Sequence, residues 1–204
     1  MQEELPLLRV IGLKRRPRCD ELSHSTGLAE HVVATAVQQA VESGTVDRRN
    51  DRLSLTIDGR ARLAELLDIE RASVDTERLR AAYHEFDEHN AAFKQLVTDW
   101  QLIDGERSND HSDAAYDAAI IDRLGAVHRR FVLLLDRLAE MAPRLAPYRT
   151  RFSAALDRVQ MGDHSWLAHP LHDSYHTVWF ELHEDLIGLC GLTRKAEATA
   201  GRAG

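Results

Sequence analysis

Along the chain, apolar residues recur three and four positions apart far more often than they alternate, which predicts helix almost throughout. From Leu28 to Ser43, Val33, Val37, Ala40 and Val41 form one inward face; His31, Thr35, Gln38 and Glu42 form the opposite one. Ahead of this helix, "PLLRVIGL" from Pro6 reads as an apolar helix, and "CDELSHST" as a short one that Asp20 caps and Thr26-Gly27 ends. After Gly44 the pattern changes. "TVDRR" and "RLSLT" flank Asn50-Asp51, which predicts two short strands around a tight turn. Thr56 then caps a further helix, "IDGRARLAELL".

The helical period is longer in the rest of the chain. Leu79, Tyr83, Phe86, Asn90, Phe93, Val97 and Trp100 make one stripe, in which the amide of Asn90 must find a hydrogen-bond partner or face a ligand. A polar loop, "LIDGERSNDHSD", separates it from a second stripe through Tyr116, Ile120, Leu124, Val127, Phe131, Leu135 and Leu138, flanked by His128. Asp113 suits the start of that helix, Pro147 opens a third, and a fourth begins near Asp173. In the fourth, His176, Phe180, His183, Ile187 and Cys190 share a stripe, so both histidines are expected to point inward. The expected fold is mostly α: residues 1–67 with a small β-hairpin, then an antiparallel helical bundle over residues 68–200 and a frayed tail at 201–204.

Charge divides the 204 residues in the same place. Of 26 Lys+Arg and 33 Asp+Glu, residues 1–67 hold 10 of each, leaving 16 against 23 for the rest. The first part is neutral, with a local basic cluster, and the acidic second part argues against a broad nucleic-acid surface there. No apolar run approaches a membrane span and "MQEELPLLRV" has no signal core, so a soluble, cytoplasmic protein without a membrane partner is expected. Cys19 and Cys190 have no CxxC spacing and support neither a disulfide framework nor a thiolate metal site; Cys190 is expected in the core.

The order "ELSHSTGL", "AVESGTV", "RLSLTIDGRARL" resembles the winged helix-turn-helix of the MarR and PadR regulator families over about a third of the chain. The N-terminal placement and the long helix that follows look more like PadR. The resemblance implies double-stranded DNA as partner, with a recognition helix in the major groove and the hairpin wing along the backbone or in the minor groove. Carried onto this chain, Glu30, His31, Thr35 and Gln38 face base edges, Arg48, Arg49 and Arg52 lie on the wing, and Lys14, Arg15, Arg16 and Arg18 of "KRRPR" clamp phosphate. The recognition helix contains no Lys or Arg, although arginine to guanine is the commonest specific base contact. Specificity then rests on His31, Thr35 and Gln38, and affinity on the flanking arginines.

In the bundle, Asn90, Trp100, Tyr116, His176, Trp179 and His183 offer apolar walls with a few polar groups, the make-up of a small-molecule pocket. No resident cofactor is expected. A divalent metal would have to draw on His89, His111, His128 and His176 from several helices, because His176 and His183 are about 10.5 Å apart along one helix. The chain lacks GxSxG, HExxH, Walker and GxGxxG motifs, and "HEFDEH" and "FELHEDL" lack the ExxH pattern of di-iron bundles, so no catalytic residue is assigned and an enzyme is not expected. The leading expectation is a dimeric DNA-binding transcriptional regulator with a helical domain for ligand sensing or dimerisation. Its rivals are a winged helix that docks a partner enzyme instead of DNA and, ranked lower, a metal-dependent enzyme built on the bundle.

Overall fold

The computed structural model describes residues 3–14, 16–171, 173–192, 197 and 199. The chain is mostly helical. It opens with α1 (Glu4–Lys14), α2 (Cys19–Thr26) and α3 (Glu30–Glu42), then forms β1 (Val46–Arg49) and β2 (Arg52–Leu55), and continues into α4 (Ile57–Ser73). The two strands pair antiparallel, with Val46 opposite Leu55 and Arg49 opposite Arg52. The turn between them holds Asn50 at φ 49° and Asp51 at φ 63°, the left-handed pair that the twist of a two-residue hairpin demands and that Asn and Asp tolerate. Pro6 lies within the first turn of α1 instead of opening it, and Arg18, not Asp20, precedes α2; Asp20 lies in that helix's first turn, where its charge meets the positive end of the dipole.

The start of α4 shows why "TIDGR" has the residues it does. Thr56 accepts a hydrogen bond at its side chain from the Gly59 N–H at 3.0 Å and donates its hydroxyl to the Gly44 carbonyl at 2.7 Å. Gly59 then packs directly on the hairpin: a Cβ at this position would lie 1.9 Å from the Thr45 carbonyl oxygen. Only glycine lets helix and hairpin approach so closely.

After α4 come α5 (Thr76–Gln101), a two-residue hairpin β3–β4 (Leu102–Ile103 with Arg107–Ser108), α6 (Ala114–Met141), a 3-10 turn at Pro143–Leu145, α7 (Pro147–Gln160), a short α8 (Ser165–Ala168) and α9 (Tyr175–Leu189). Asp75, Asp113 and Ser174 cap α5, α6 and α9 through their side chains. The small hairpin falls where a plain polar loop is expected; Asp104 at φ 56° and Gly105 at φ 76° turn it. The expected frayed tail, 201–204, lies outside the described residues.

Two hydrophobic cores result. One gathers Leu7, Leu8, Ile11, Leu22, Val33, Val37, Val46, Leu53, Leu63 and Leu67. The other runs from Val74 to Leu189 around Phe86, Phe93, Phe131, Phe152 and Trp179. Helix α4 gives Leu63 and Leu67 to the first core and runs on to Ser73, where Val74 of the second core caps it, so the boundary expected after residue 67 falls inside a helix. Among the described residues no helix is long and apolar enough to cross a membrane.

Candidate nucleic-acid interface

Helix α3 exposes Glu30, His31, Thr35 and Gln38 and buries Val33, Val37 and Ala40. The Thr35 hydroxyl donates to the His31 carbonyl at 2.9 Å, and the Gln38 amide donates to Glu42 at 2.7 Å. Both are solvent-facing bonds that a competing acceptor can replace at little cost. The helix face is therefore polar, uncharged at its centre and acidic at its ends.

The cations cluster beside it. The Leu53 N–H donates to the Pro17 carbonyl at 3.0 Å and Arg52 donates to the Arg16 carbonyl at 3.0 Å, so the strand β2 holds the segment before α2 against the hairpin. Arg16, Arg18, Arg48 and Arg52, distant in sequence, are thereby brought together. Their carboxylate partners are loose: Arg18 is 3.4 Å from Asp20 and 3.3 Å from Asp51, and Arg52 is 3.4 Å from Glu21, while Arg48 donates to the Cys19 sulfur at 2.9 Å. Arg49, 78 % exposed, pairs with Asp47 at 2.7 Å on its own strand. Exposed pairs of this kind are worth a few tenths of a kcal/mol to about 1 kcal/mol, so the guanidiniums stay available to a phosphate.

Lys14 departs from that set. Its ammonium lies 2.6 Å from Asp173 and 3.0 Å from Glu181, with the side chain 12 % exposed, so it joins α1 to α9 and is not free to clamp phosphate. Arg15 lies outside the described residues. Lys14 belongs to a junction of buried ion pairs that sequence reasoning missed. Arg151 meets Asp173 at 3.0 Å and Glu181 at 2.5 Å. Next to it, the Asp185 carboxylate accepts from Arg9 at 2.7 Å, from Arg144 at 2.7 Å and from the Tyr148 hydroxyl at 2.9 Å, while Arg144 also binds Glu70 at 2.8 Å. Burial alone would raise the carboxyl of Asp185; the Arg144 and Arg9 cations outweigh it and hold the group below the usual carboxylate range. At Asp173 burial again pushes up, and Arg151 and Lys14 bring the group down to about 2. A signal was present in "FELHEDL": Glu181 and Asp185 are four apart on a helix whose neighbours are apolar, which puts two carboxylates on a buried face.

The six residues expected to line a pocket in the bundle are dispersed or already bonded. The Trp179 indole N–H donates to Asn90 at 2.9 Å, and its ring stacks on Phe93 at 4.3 Å and Phe131 at 4.4 Å, so both side chains are core. Trp100 packs on His111 at 4.4 Å near the other end of α5, and the Tyr116 hydroxyl donates to the Asp99 and Leu102 carbonyls at 3.0 and 3.2 Å. His183 is buried 5.0 Å from the Phe86 ring. His176, expected inward, is exposed: the buried face of α9 centres on Tyr175, Trp179, Leu182 and Leu186, and position 176 lies a step of about 100° around the helix from Tyr175.

The metal candidates do not converge. His89 packs edge-on to Phe131 at 5.3 Å, His111 bonds Asp117 at 3.0 Å, and His128 bonds the Tyr175 hydroxyl at 3.2 Å, where burial holds its imidazole below the ordinary value. Among the described residues, no group of three or more His, Cys, Asp and Glu is placed to hold an ion. "NDHSDAAYD" instead forms a capping network: Asp113 accepts from the Ala115 and Tyr116 N–H groups, and buried Asn109 donates to Asp117 at 2.9 Å. Cys190 is half-buried against the core, and burial pushes its thiol up to about 11, which makes it a poor nucleophile. Compared with protein-family models, curated proteins and solved structures, the chain matches none.

Proposed function

We propose that this protein is a dimeric, DNA-binding transcriptional regulator whose first four helices and hairpin form a winged helix-turn-helix. In this reading α3 enters the major groove with His31, Thr35 and Gln38 on base edges, and the hairpin follows the backbone. The observation that carries it is the gathering of Arg16, Arg18, Arg48 and Arg52 around a hairpin that follows two short consecutive helices, with Arg18 and Arg52 only loosely paired to exposed carboxylates. The bundle serves dimerisation and sensing, which sets the separation of two half-sites.

The test is selection of bound fragments from sheared genomic DNA, followed by a salt titration on the best fragment with the wild type and with Arg48→Ala/Arg49→Ala/Arg52→Ala. Each phosphate contact contributes about 0.9 to the slope of log K against log salt, so the triple variant should flatten that slope by about 2 to 3 units. An unchanged slope would refute the wing assignment. One observation favours a second reading: the exposed face of α3 carries no cation, and its ends are Glu30 and Glu42. A surface of that kind suits a basic patch on a partner enzyme, and absence of any enriched fragment across the salt series would select it.

A further inference from the structure

Where α1 and α2 meet the segment leading into α9, the surface opens into a cleft of about 780 Å³, within the range of small-ligand pockets. We propose that this cleft binds a small monocarboxylate with an apolar body. Three observations point to it. First, Leu171, 86 % exposed, and Phe180, 44 % exposed, give the cleft an apolar wall. Covering the exposed part of that wall removes apolar surface from water and so favours a ligand with an apolar body.

Second, the charges around the cleft pair off with one left over. Lys14 and Arg151 neutralise Asp173 and Glu181, Arg52 faces Glu21, and Arg18 faces Asp20. The remaining guanidinium, that of Arg16, is exposed and has no side-chain partner among the described residues. Third, Ser25 lines the same cleft, is 6 % exposed, and its buried hydroxyl has no hydrogen-bond partner among the described residues, so a small turn of the side chain towards the cleft offers it to a ligand. A carboxylate suits this set: it takes two parallel N–H bonds from a guanidinium and accepts from the hydroxyl once it turns. A dianion such as phosphate is disfavoured by the four carboxylates on the rim, those of Asp20, Glu21, Asp173 and Glu181.

The site has a regulatory consequence that rests on the DNA-binding reading. Arg16 and Arg52 belong both to this cleft and to the arginine cluster, so a carboxylate and a DNA phosphate compete for the same guanidiniums.

Binding itself is measured without DNA, so failure of the regulator reading does not affect it. Sodium octanoate is titrated into the full chain by calorimetry, beside 1-octanol as the uncharged analogue and inorganic phosphate at matched ionic strength. The expected result is octanoate binding with Kd below about 1 mM, octanol weaker by about five-fold or more, and no heat from phosphate. Arg16→Gln and Leu171→Ser, both at exposed positions, should each weaken octanoate by about five-fold with the melting temperature unchanged. The proposal is overturned if octanoate gives no heat, if octanol matches it, if phosphate binds as well, or if both variants bind as the wild type does. Release of DNA by octanoate is a separate reading on the best fragment, and its absence refutes only the competition.

Discussion

The hairpin arginines and the junction arginines are the same residue in opposite circumstances. Arg18 and Arg52 are about half exposed and stand 3.3 to 3.4 Å from their nearest carboxylates. Arg9, Arg144 and Arg151 are largely buried and sit 2.5 to 3.0 Å from theirs. In water an ion pair hardly outlasts its solvation, so the first set is free to exchange partners. In the interior, neither ion can be left without the other, so the second set fixes α1 and α4 against α7 and α9. One population exchanges partners with the solvent and the other determines where the first is held.

The largest effect expected from breaking this contrast is at Arg144. Arg144→Met leaves the carboxylates of Asp185 and Glu70 short of a buried partner and should cost about 3 to 5 kcal/mol in urea denaturation. A loss under about 1 kcal/mol would mean that water reaches the junction and that the two arginine sets are alike. Next comes Gly59→Ala, where the clash with the Thr45 carbonyl should cost about 3 kcal/mol and pull the hairpin from α4, with the bundle left intact.

A third test is pH. Asp173 titrates near 2 in the folded chain and at an ordinary 3.8 when unfolded, so the stabilisation it carries is complete above pH 3.8 and is lost as pH falls towards 2. The loss amounts to about 2 kcal/mol, readable as a falling midpoint in thermal melts over that window, and the fall should be smaller by that contribution in Asp173→Asn, with Asp185 supplying what remains. Smallest of all, Arg49→Ala should change stability by no more than about 0.5 kcal/mol. A larger loss would place the hairpin pairs with the junction pairs.

What was legible in the sequence follows from the range of the interactions. The Asn50-Asp51 turn, the Thr56 and Asp113 caps and the Pro147 helix start are set by residues within three or four positions of one another, and local chemistry suffices to read them. The tripeptide Ile-Asp-Gly shows the limit. Ile57-Asp58-Gly59 opens a helix because Thr56 caps it and the hairpin accepts Gly59; Ile103-Asp104-Gly105 turns a small hairpin instead, because Leu102 ends α5 and pairs with Ser108. The junction was out of reach, since Arg9 and Asp185 are 176 positions apart and no periodicity pairs them. Charge at buried helical positions marks that such partners exist without saying which they are. The same holds for Lys14, whose neighbours in "KRRPR" made it look like one more phosphate ligand.

The division into two cores determines which spectroscopic signals can follow unfolding. Trp100, Trp166 and Trp179, the three tryptophans of the chain, all belong to the second core or pack on it, and the first core has none. Intrinsic fluorescence is therefore blind to the hairpin half, whereas far-ultraviolet ellipticity records both. If the buried pairs at the junction make the molecule a single cooperative unit, the two signals should trace one transition. If an early loss of ellipticity precedes any change in emission, the half that carries the arginine cluster opens on its own while its dark unfolding leaves the tryptophans undisturbed.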